Sequence, residues 1–190
     1  MHLSILTANG DAVSLTSTIN LTFGSKLIDE TTGIILNNQM DDFSIPGVPN
    51  SFGYAPSPYN YIHPGKRPLS SSCPSFVLDN GEIIGVYGAS GGSHIISATA
   101  QVIIAVHDWK FQVTDAVSYP RIHHQLIPNV LEIEALYSKK TRSVLAAIGH
   151  NVSQLMLGQT FSGVSAVTKT IDGLIHAAGD YRKGGGSFAF

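Results

Sequence analysis

The 190-residue sequence has few charged residues and a single cysteine. Charged side chains make up 13% of it, against roughly 25% in a typical globular domain. Either the surface is unusually rich in Ser, Thr and Asn, or part of it lies against another chain. With 11 Lys and Arg against 13 Asp and Glu the net charge is −2, and there is no basic block, which argues against nucleic-acid binding by phosphate neutralisation. One cysteine, Cys73, excludes an internal disulfide.

Long apolar runs are also lacking. The first residues have no basic region followed by an apolar stretch, so no signal peptide is recognisable in them. The longest apolar stretch, at 95–106, is interrupted by polar residues and falls short of the about 20 residues that cross a bilayer. We therefore expect any membrane link to come from a partner or from sequence upstream of these residues.

Alternating apolar residues around turn-forming pairs predict three β-hairpins. They lie at 3–15 around Asn9-Gly10, at 76–87 around Asn80-Gly81, and at 164–177 around Asp172-Gly173. Further strands are expected at 34–36 and 131–134, and helices at about 95–106, 114–119 and 138–148. The proline-rich stretch 42–74 is expected to be a long functional loop. These elements indicate one layered α+β domain over residues 1–190.

The glycine-rich string 88–92 stands directly before the first expected helix. Backbone N–H groups at such a turn suit a carboxylate, a phosphate or an oxyanion. A glycine turn that lets the helix pack tightly explains the same residues equally well. No Walker lysine follows it, which disfavours nucleotide binding by a phosphate loop.

Other polar groups are, taken singly, better explained as structure. The string 37–42 fits a solvated turn, and the serines at 70–72 fit a proline-braced loop. His123 and His124 are neighbours without a metal-ligand pattern, so structural roles are favoured and no metal site is expected. Two glycosylation sequons occur, but Asn20 is expected in a buried strand, which leaves Asn151 as the candidate if the protein is secreted.

Several of these segments occur together in the order of one family. The most specific strings are Asn-Asn-Gln-Met-Asp-Asp at 37–42 and Lys-Arg-Pro-Leu-Ser-Ser at 66–71, joined by the strings at 17–20, 88–92, 120–125 and 182–185. Over almost its whole length the chain resembles the small subunit of γ-glutamyltransferases, also called γ-glutamyl transpeptidases or glutathione hydrolases. The strings at 23–26 and 125–130 look more like animal members than bacterial ones.

The resemblance implies an N-terminal-nucleophile hydrolase, in which this chain forms the small-subunit half of an αββα sandwich. Such proteins are made as a precursor that cleaves itself into two subunits. The new N-terminal Thr of the small subunit attacks the γ-glutamyl carbonyl of glutathione or a conjugate, and its own α-amine assists proton transfer. The γ-glutamyl group then passes to water, an amino acid or a dipeptide. No cofactor is expected.

The family's motif implies roles for residues near the opening hairpin and in the string 37–42. Thr18 would orient the hydroxyl of the nucleophile. Asn20, Gln39 and Asp42 would hold the α-amino and α-carboxylate ends of the γ-glutamyl group. Asp42 is the natural partner of the ammonium, because a carboxylate forms a charge-assisted hydrogen bond with it.

The same motif assigns the remaining contacts to two later segments. The hydroxyls of Ser70 and Ser71 would bind the α-carboxylate of the substrate. The N–H groups of Gly91 and Gly92 would form the oxyanion hole, in agreement with the anion-binding interpretation of that turn.

The chain also departs from the family's pattern. The nucleophilic Thr would stand one place before Met1, and Gln39 occupies a position where animal members more often carry Glu. A large subunit, which supplies an arginine for the substrate carboxylate, is expected as the partner in a heterodimer. We therefore expect an enzyme subunit inactive by itself, at the extracellular face of the plasma membrane through the large subunit, or secreted. The alternative is a non-catalytic light-chain relative that acts as a binding or regulatory partner.

Overall fold

The computed structural model describes residues 1–156, 159 and 162–188, and the chain divides into two compact units. One unit comprises Met1–Thr16 and Ser71–Phe190, and the other is Ser17–Ser70. A single domain over residues 1–190 stays a prediction.

The larger unit contains the regular secondary structure of the described chain. Its strands are β1 (His2–Leu6), β2 (Ala12–Thr16), β3 (Ser75–Asp79), β4 (Glu82–Ser90), β5 (Ile122–His123), β6 (Leu131–Ile133), β7 (Val152–Gln154), β8 (Gly163–Lys169) and β9 (Ile175–Gly179). Its helices are α1 (His94–His107), α2 (Val113–Ser118) and α3 (Lys139–Ala147). The three predicted hairpins are confirmed as β1–β2, β3–β4 and β8–β9.

A four-stranded antiparallel sheet in the order β3–β4–β8–β9 forms the centre of this unit. Helices α1 and α2 cover one of its faces, because the helical spacing of the sequence places a row of small and apolar side chains toward the sheet. Ile95, Ala98 and Val102 of α1 share one buried cluster with Tyr87 and Val164 of the sheet. The helices predicted at about 95–106 and 114–119 are therefore confirmed.

The β1–β2 hairpin packs on the opposite face of the same sheet. Leu6 of the hairpin is buried in one cluster with Val86 and Val167 of β4 and β8. The Ser4 hydroxyl also donates a hydrogen bond to the main-chain carbonyl of Ser165 at 3.0 Å. The unit is thus layered as hairpin, sheet and helices.

The outward face of the hairpin is apolar. Its side chains, Leu3, Ile5, Val13 and Leu15, are 40–49% exposed, whereas polar residues alternate with them on the inward face. A two-stranded sheet that faced water would show the reverse pattern. The pattern indicates a surface that another layer covers.

A buried ion-pair network joins the segments directly before β5, directly after β6 and directly after β9. Arg121 Nη2 lies 2.6 Å from Asp180 Oδ2, and both side chains are 2% exposed. Arg182 bridges Asp180 at 3.1 Å and Glu134 at 2.8 Å. Burial alone would raise the pKa of Asp180, but the Arg121 guanidinium and the N–H of Val164 outweigh it and hold that pKa below its ordinary value.

The remaining strands of the larger unit form a small mixed sheet in the order β5–β6–β7. The sequence predicted β6 and missed β5 and β7, which are only two and three residues long. The helix predicted at 138–148 is confirmed as α3, which is capped by Ser138: its hydroxyl accepts a hydrogen bond from the Thr141 N–H at 3.3 Å.

The unit Ser17–Ser70 consists of turns, with short 3-10 helices at Gln39–Asp42 and Pro58–Asn60. Two predictions are wrong in this unit. Residues 34–36 form no strand, since only an isolated bridge joins Ile35 to Ile28. Asn20 lies in no strand either: it is half-buried and has a φ of 72°, in the left-handed region that asparagine tolerates. The prediction of a long loop from 42 onward is confirmed as far as β3.

Candidate functional site

Gln39 and Asp42 form a hydrogen-bonded pair on one 3-10 turn. The Gln39 side-chain amide donates to Asp42 Oδ2 at 2.7 Å, and both side chains are half-buried. Desolvation raises the pKa of Asp42 and the nearby Asp41 carboxylate adds to this, while the hydrogen bond from Gln39 opposes it. A carboxylate in this state gains from a cationic partner, so the pair is suited to an ammonium ligand.

Asn60 holds the Asp42 turn against the segment that leads to Ser70. Its Nδ2 donates to the main-chain carbonyl of Asp42 at 2.9 Å, and its Oδ1 accepts from the Leu69 N–H at 2.9 Å. Its main-chain carbonyl also accepts from the Ser44 N–H at 3.0 Å. One side chain therefore fixes the backbone of two predicted binding segments, at Asp42 and at Leu69, which are 27 residues apart in the sequence.

Thr18 and Asn20 are braced by local hydrogen bonds. The Thr18 hydroxyl oxygen accepts from the Asn20 N–H at 2.9 Å, and Asn20 Nδ2 donates to the main-chain carbonyl of Asn38 at 3.2 Å. Asn38 Oδ1 in turn accepts from the Leu21 N–H at 3.1 Å. These bonds place Asn20 next to the residue that precedes Gln39, so the structure brings the predicted residues 20, 39 and 42 onto neighbouring turns of one unit.

Ser70 and Ser71 lie where the two units meet in the sequence, since one unit ends at Ser70 and the other resumes at Ser71. Ser70 is exposed and Ser71 is half-buried. The Asn60 contact with Leu69 fixes the backbone next to Ser70. Their predicted role in binding a carboxylate stays a prediction.

Gly91 and Gly92 form the turn between β4 and α1. Their φ angles are 137° and 66°, which glycine adopts without the steric cost that a Cβ brings, and both residues are half-buried. The turn leads directly into the N-terminus of a 14-residue helix, where backbone N–H groups favour negative charge. An oxyanion-binding role thus has a geometric basis, although helix packing and anion binding both suit the string.

Gly88 has a different reason to be glycine. An ideal Cβ built on it would lie 2.1 Å from Cε1 of His2, so any side chain would force the His2 ring to move. The first glycine of the string therefore serves packing, while the last two serve the turn.

His2 is a residue whose part in this region the sequence analysis missed. Its Nδ1 lies 2.8 Å from the Thr16 hydroxyl and its Nε2 lies 3.1 Å from the Ser4 hydroxyl, so it joins both strands of the hairpin. Burial and the adjacent N-terminal ammonium lower its pKa. The signal available in the sequence was the polar inward face of the strand, formed by His2 and Ser4 at alternate positions.

Two features of the structure are relevant to where the protein is located, at a membrane or in the secretory pathway. Asn151, the glycosylation candidate, is exposed just before β7, and Ser153 of its sequon is exposed as well. Within the described residues, no helix has the length and apolar character needed to cross a membrane.

Comparison with solved structures defines the class of protein. A crystal structure of a mutant of Helicobacter pylori gamma-glutamyltranspeptidase aligns with a TM-score of 0.89 at 37% identity, over 95% of this chain and 98% of that chain. The hairpin, sheet and helices are therefore layers of the N-terminal-nucleophile hydrolase fold, and the predicted α+β, αββα class with this chain as the small-subunit half is confirmed.

The family follows from the sequence comparison. The whole chain, residues 1–190, matches the Gamma-glutamyltranspeptidase family and belongs to it. The glutathione hydrolase proenzyme of Arthroderma benhamiae is 48% identical over 95% of this chain, and Scoloptoxin SSD14 of Scolopendra dehaani is 42% identical over 97%. The chain spans about a third of the length of these two relatives, 31% and 32%.

Proposed function

We propose that this chain is the small subunit of a γ-glutamyltransferase or glutathione hydrolase. The assembled enzyme cleaves the γ-glutamyl amide of glutathione and its conjugates and transfers the γ-glutamyl group to water, an amino acid or a dipeptide. The Gln39–Asp42 pair carries the proposal, because it offers a partly desolvated carboxylate on a braced turn in a member of this family.

In this proposal, substrate binding depends on the charged groups of the γ-glutamyl moiety. The Asp42 carboxylate receives the α-ammonium of the γ-glutamyl group, and the side-chain amides of Asn20 and Gln39 contact its polar end. The hydroxyls of Ser70 and Ser71 donate to the α-carboxylate. These contacts recognise the α-amino and α-carboxylate groups of the substrate. None of them involves the leaving amine on the other side of the scissile amide, so conjugates with different leaving groups are accommodated.

Chemistry in this proposal needs a threonine directly before Met1. Its Oγ attacks the γ-carbonyl carbon while its free α-amine takes the hydroxyl proton, with Thr18 orienting that hydroxyl. The oxyanion that forms is stabilised by the N–H groups of Gly91 and Gly92. Collapse of the intermediate breaks the amide bond, and the proton passes to the leaving amine. Water or an acceptor amine then attacks the ester and releases the threonine.

The partner we propose is the family's large subunit. The exposed apolar face of the β1–β2 hairpin, formed by Leu3, Ile5, Val13 and Leu15, supports this, because in an αββα sandwich each sheet is covered by helices on its outer side. The low content of charged residues supports a covered surface too. In this arrangement any membrane attachment comes from the large subunit.

An extracellular location, at the plasma membrane or secreted, is part of the same proposal. The exposed sequon at Asn151 is compatible with it, since glycosylation requires an accessible asparagine in the secretory pathway. Treatment of the protein from its native source with an N-glycosidase, followed by mass measurement, tests it. A mass loss that is absent in Asn151→Gln supports the location, and an unglycosylated native protein speaks against it.

The function is tested by which parts of the substrate matter. The chain, with a Thr exposed before Met1 and assembled with a large subunit of the family, should hydrolyse a γ-glutamyl anilide. A glutaryl anilide, which lacks the α-ammonium, should be turned over with kcat/KM lower by about 10- to 100-fold, because one charge-assisted contact is lost. Equal turnover of both anilides, or of neither, would contradict the proposal.

A further inference from the structure

A group of two histidines and a glutamate lies outside the residues assigned to substrate. His94 is the first residue of α1, and His123 and Glu132 stand directly opposite each other on β5 and β6. One possible ligand atom from each lies within 4.8 Å of the other two. Since a helix and a pair of strands carry the three side chains, regular structure determines their separation.

The contacts inside the group are close and partly accessible. His94 Nε2 lies 3.0 Å from Glu132 Oε2, and the two imidazole rings of His94 and His123 lie 4.2 Å apart between centroids. His123 is buried, whereas the side chains of His94 and Glu132 are 21% and 35% exposed. An ion can therefore approach from the side of His94 and Glu132 and meet His123 as the inner group.

The surroundings of His123 allow one of its ring nitrogens to act as a ligand. Its Nδ1 lies 2.7 Å from the Ser97 hydroxyl, which also lies 3.2 Å from the main-chain carbonyl of His94. When that hydroxyl donates its proton to the carbonyl, it accepts from His123 Nδ1–H, and the lone pair is then on Nε2. The hydrogen bond on the other ring nitrogen is the usual support of a metal-binding histidine.

The neighbour of His123 Nε2 is an oxygen. Gln125 Oε1 lies 3.0 Å from that nitrogen, and the Gln125 amide is oriented by donating from its Nε2 to the Ile127 carbonyl at 3.0 Å. In the tautomer with the lone pair on Nε2, two acceptor atoms face each other. A cation beside them removes the conflict. The opposite tautomer, in which Nε2–H donates to Gln125, requires no ion.

We propose that His94, His123 and Glu132 form a binding site for a divalent transition metal ion of the zinc type. Two neutral imidazoles and one carboxylate are a ligand set that favours zinc over calcium or magnesium. The Gln125 oxygen or a water completes a tetrahedron. Ligand atoms around zinc lie closer together than 4.8 Å, so the accessible side chains of His94 and Glu132 rotate inward on binding. The ion ties the first turn of α1 to the β5–β6 pair.

Titration of the purified full chain with Zn²⁺ and with Co²⁺ tests the site. We expect one ion per chain by calorimetry, the visible absorption of tetrahedral Co²⁺, and a higher melting temperature with Zn²⁺. His94→Gln and Glu132→Gln should each weaken binding by about tenfold or more, since each removes a ligand. Both side chains are partly exposed, so the metal-free melting temperature should change little.

The matched control is His124→Gln. His124 is the sequence neighbour of His123 but is exposed, and its ring lies 6.4 Å from that of His150 in a separate pair. This variant should bind Zn²⁺ as tightly as the parent chain. Binding that His124→Gln abolishes, binding that survives both ligand variants, or the lack of one-to-one binding would each overturn the proposal.

Discussion

The two units of the chain are stabilised in different ways. In the larger unit, residues of the four-stranded sheet such as Val86, Tyr87 and Val164 are fully buried. In the unit Ser17–Ser70, all of which the structure describes, Gly24 is the only buried residue. The order of the larger unit rests on apolar burial, whereas the turns of the smaller unit rest on hydrogen bonds from side chains to the backbone.

The roles that we assign to the two units follow from this difference. Most of the residues assigned to the candidate site, Thr18, Asn20, Gln39, Asp42 and Ser70, belong to the unit without a core, and the glycine turn belongs to the sheet-and-helix unit. Binding residues lie on loops because a loop can present polar atoms that a core cannot accommodate. Changes in the larger unit should therefore reduce stability, and changes in the smaller unit should reduce substrate affinity. Unless stated otherwise, the following variants are measured in the chain assembled with a large subunit and carrying a Thr before Met1.

The largest effect is expected at the buried ion pair. Arg121→Ala removes the closer of the two guanidinium partners of the buried Asp180, and breaking a buried ion pair typically costs about 3–5 kcal/mol. The melting temperature should fall sharply, as measured by calorimetry. Lys140→Ala, at an exposed position of α3, is the control and should leave the melting temperature unchanged. A stable Arg121→Ala protein would show that the network contributes little to this unit.

The next effect is expected at Asp42. Asp42→Ala removes the partner of the substrate ammonium, and losing a charge-assisted hydrogen bond costs about 1.5–3 kcal/mol. KM for a γ-glutamyl anilide should rise by about 10- to 100-fold, with the melting temperature within a degree or so of the parent because no core contact is lost. Asp41→Ala, the exposed neighbour, serves as the control. An unchanged KM would remove Asp42 from the site.

Asn60 should show a smaller effect of the same kind. Asn60→Ala removes the bonds to Asp42 and Leu69. The bond to Asp42 is the one that holds the ammonium-binding turn, and its loss, at about 0.5–1.5 kcal/mol, should raise KM by about two- to tenfold. Asn60→Asp keeps the acceptor for the Leu69 N–H and should recover part of the affinity. Asn50 provides the matched control, since its Oδ1 also fixes a turn of this unit, by accepting from the N–H groups of Phe52 and Tyr54. If Asn50→Ala raises KM as much, Asn60 has no special positioning role.

The smallest effect is a pH dependence of stability in the larger unit. Burial, with a further contribution from Lys110, lowers the pKa of His107, whose Nε2 contacts the Tyr87 hydroxyl at 2.7 Å. Below the ordinary value of about 6.5, the unfolded chain binds a proton that the folded chain does not, so the free energy of unfolding should decrease as the pH falls through that window.

Urea titrations of the assembled protein at pH 7.5 and 5.5 measure this loss. His107→Asn should reduce it, and His2, whose pKa is lowered too, should leave a remainder. A loss of the same size in His107→Asn would contradict the assignment.

The contrast between a unit with an apolar core and a unit of hydrogen-bonded turns also explains what could be predicted from the sequence. The hairpins and α1 were predictable because alternation and helical spacing record which face meets the sheet. The interpretation of 34–36 as a strand was wrong because apolar β-branched residues also occur in turns, where Ile34 and Ile35 are exposed. β5 and β7 were missed because strands of two or three residues have no measurable period, and these two contain polar residues where the equally short β6 has Leu131 and Ile133.

In the candidate site, residue types were predictable and their supports were not. The string 37–42 pointed to Gln39 and Asp42, and the structure pairs them. Asn60 was missed because its partners Asp42 and Leu69 lie 18 and 9 residues away along the chain. No local pattern in the sequence records such contacts, since they arise from how the turns fold onto one another.

The central claim is that this chain is one half of a γ-glutamyl-transferring enzyme. The measurement that tests it most directly is the release of product from a γ-glutamyl anilide by three preparations: the 190-residue chain, the chain with an exposed Thr before Met1, and the latter assembled with a large subunit. We predict no release by the first, since Met1 has no hydroxyl, little by the second, and turnover by the third. Activity in the first preparation, or its absence in a well-assembled third, would contradict the claim.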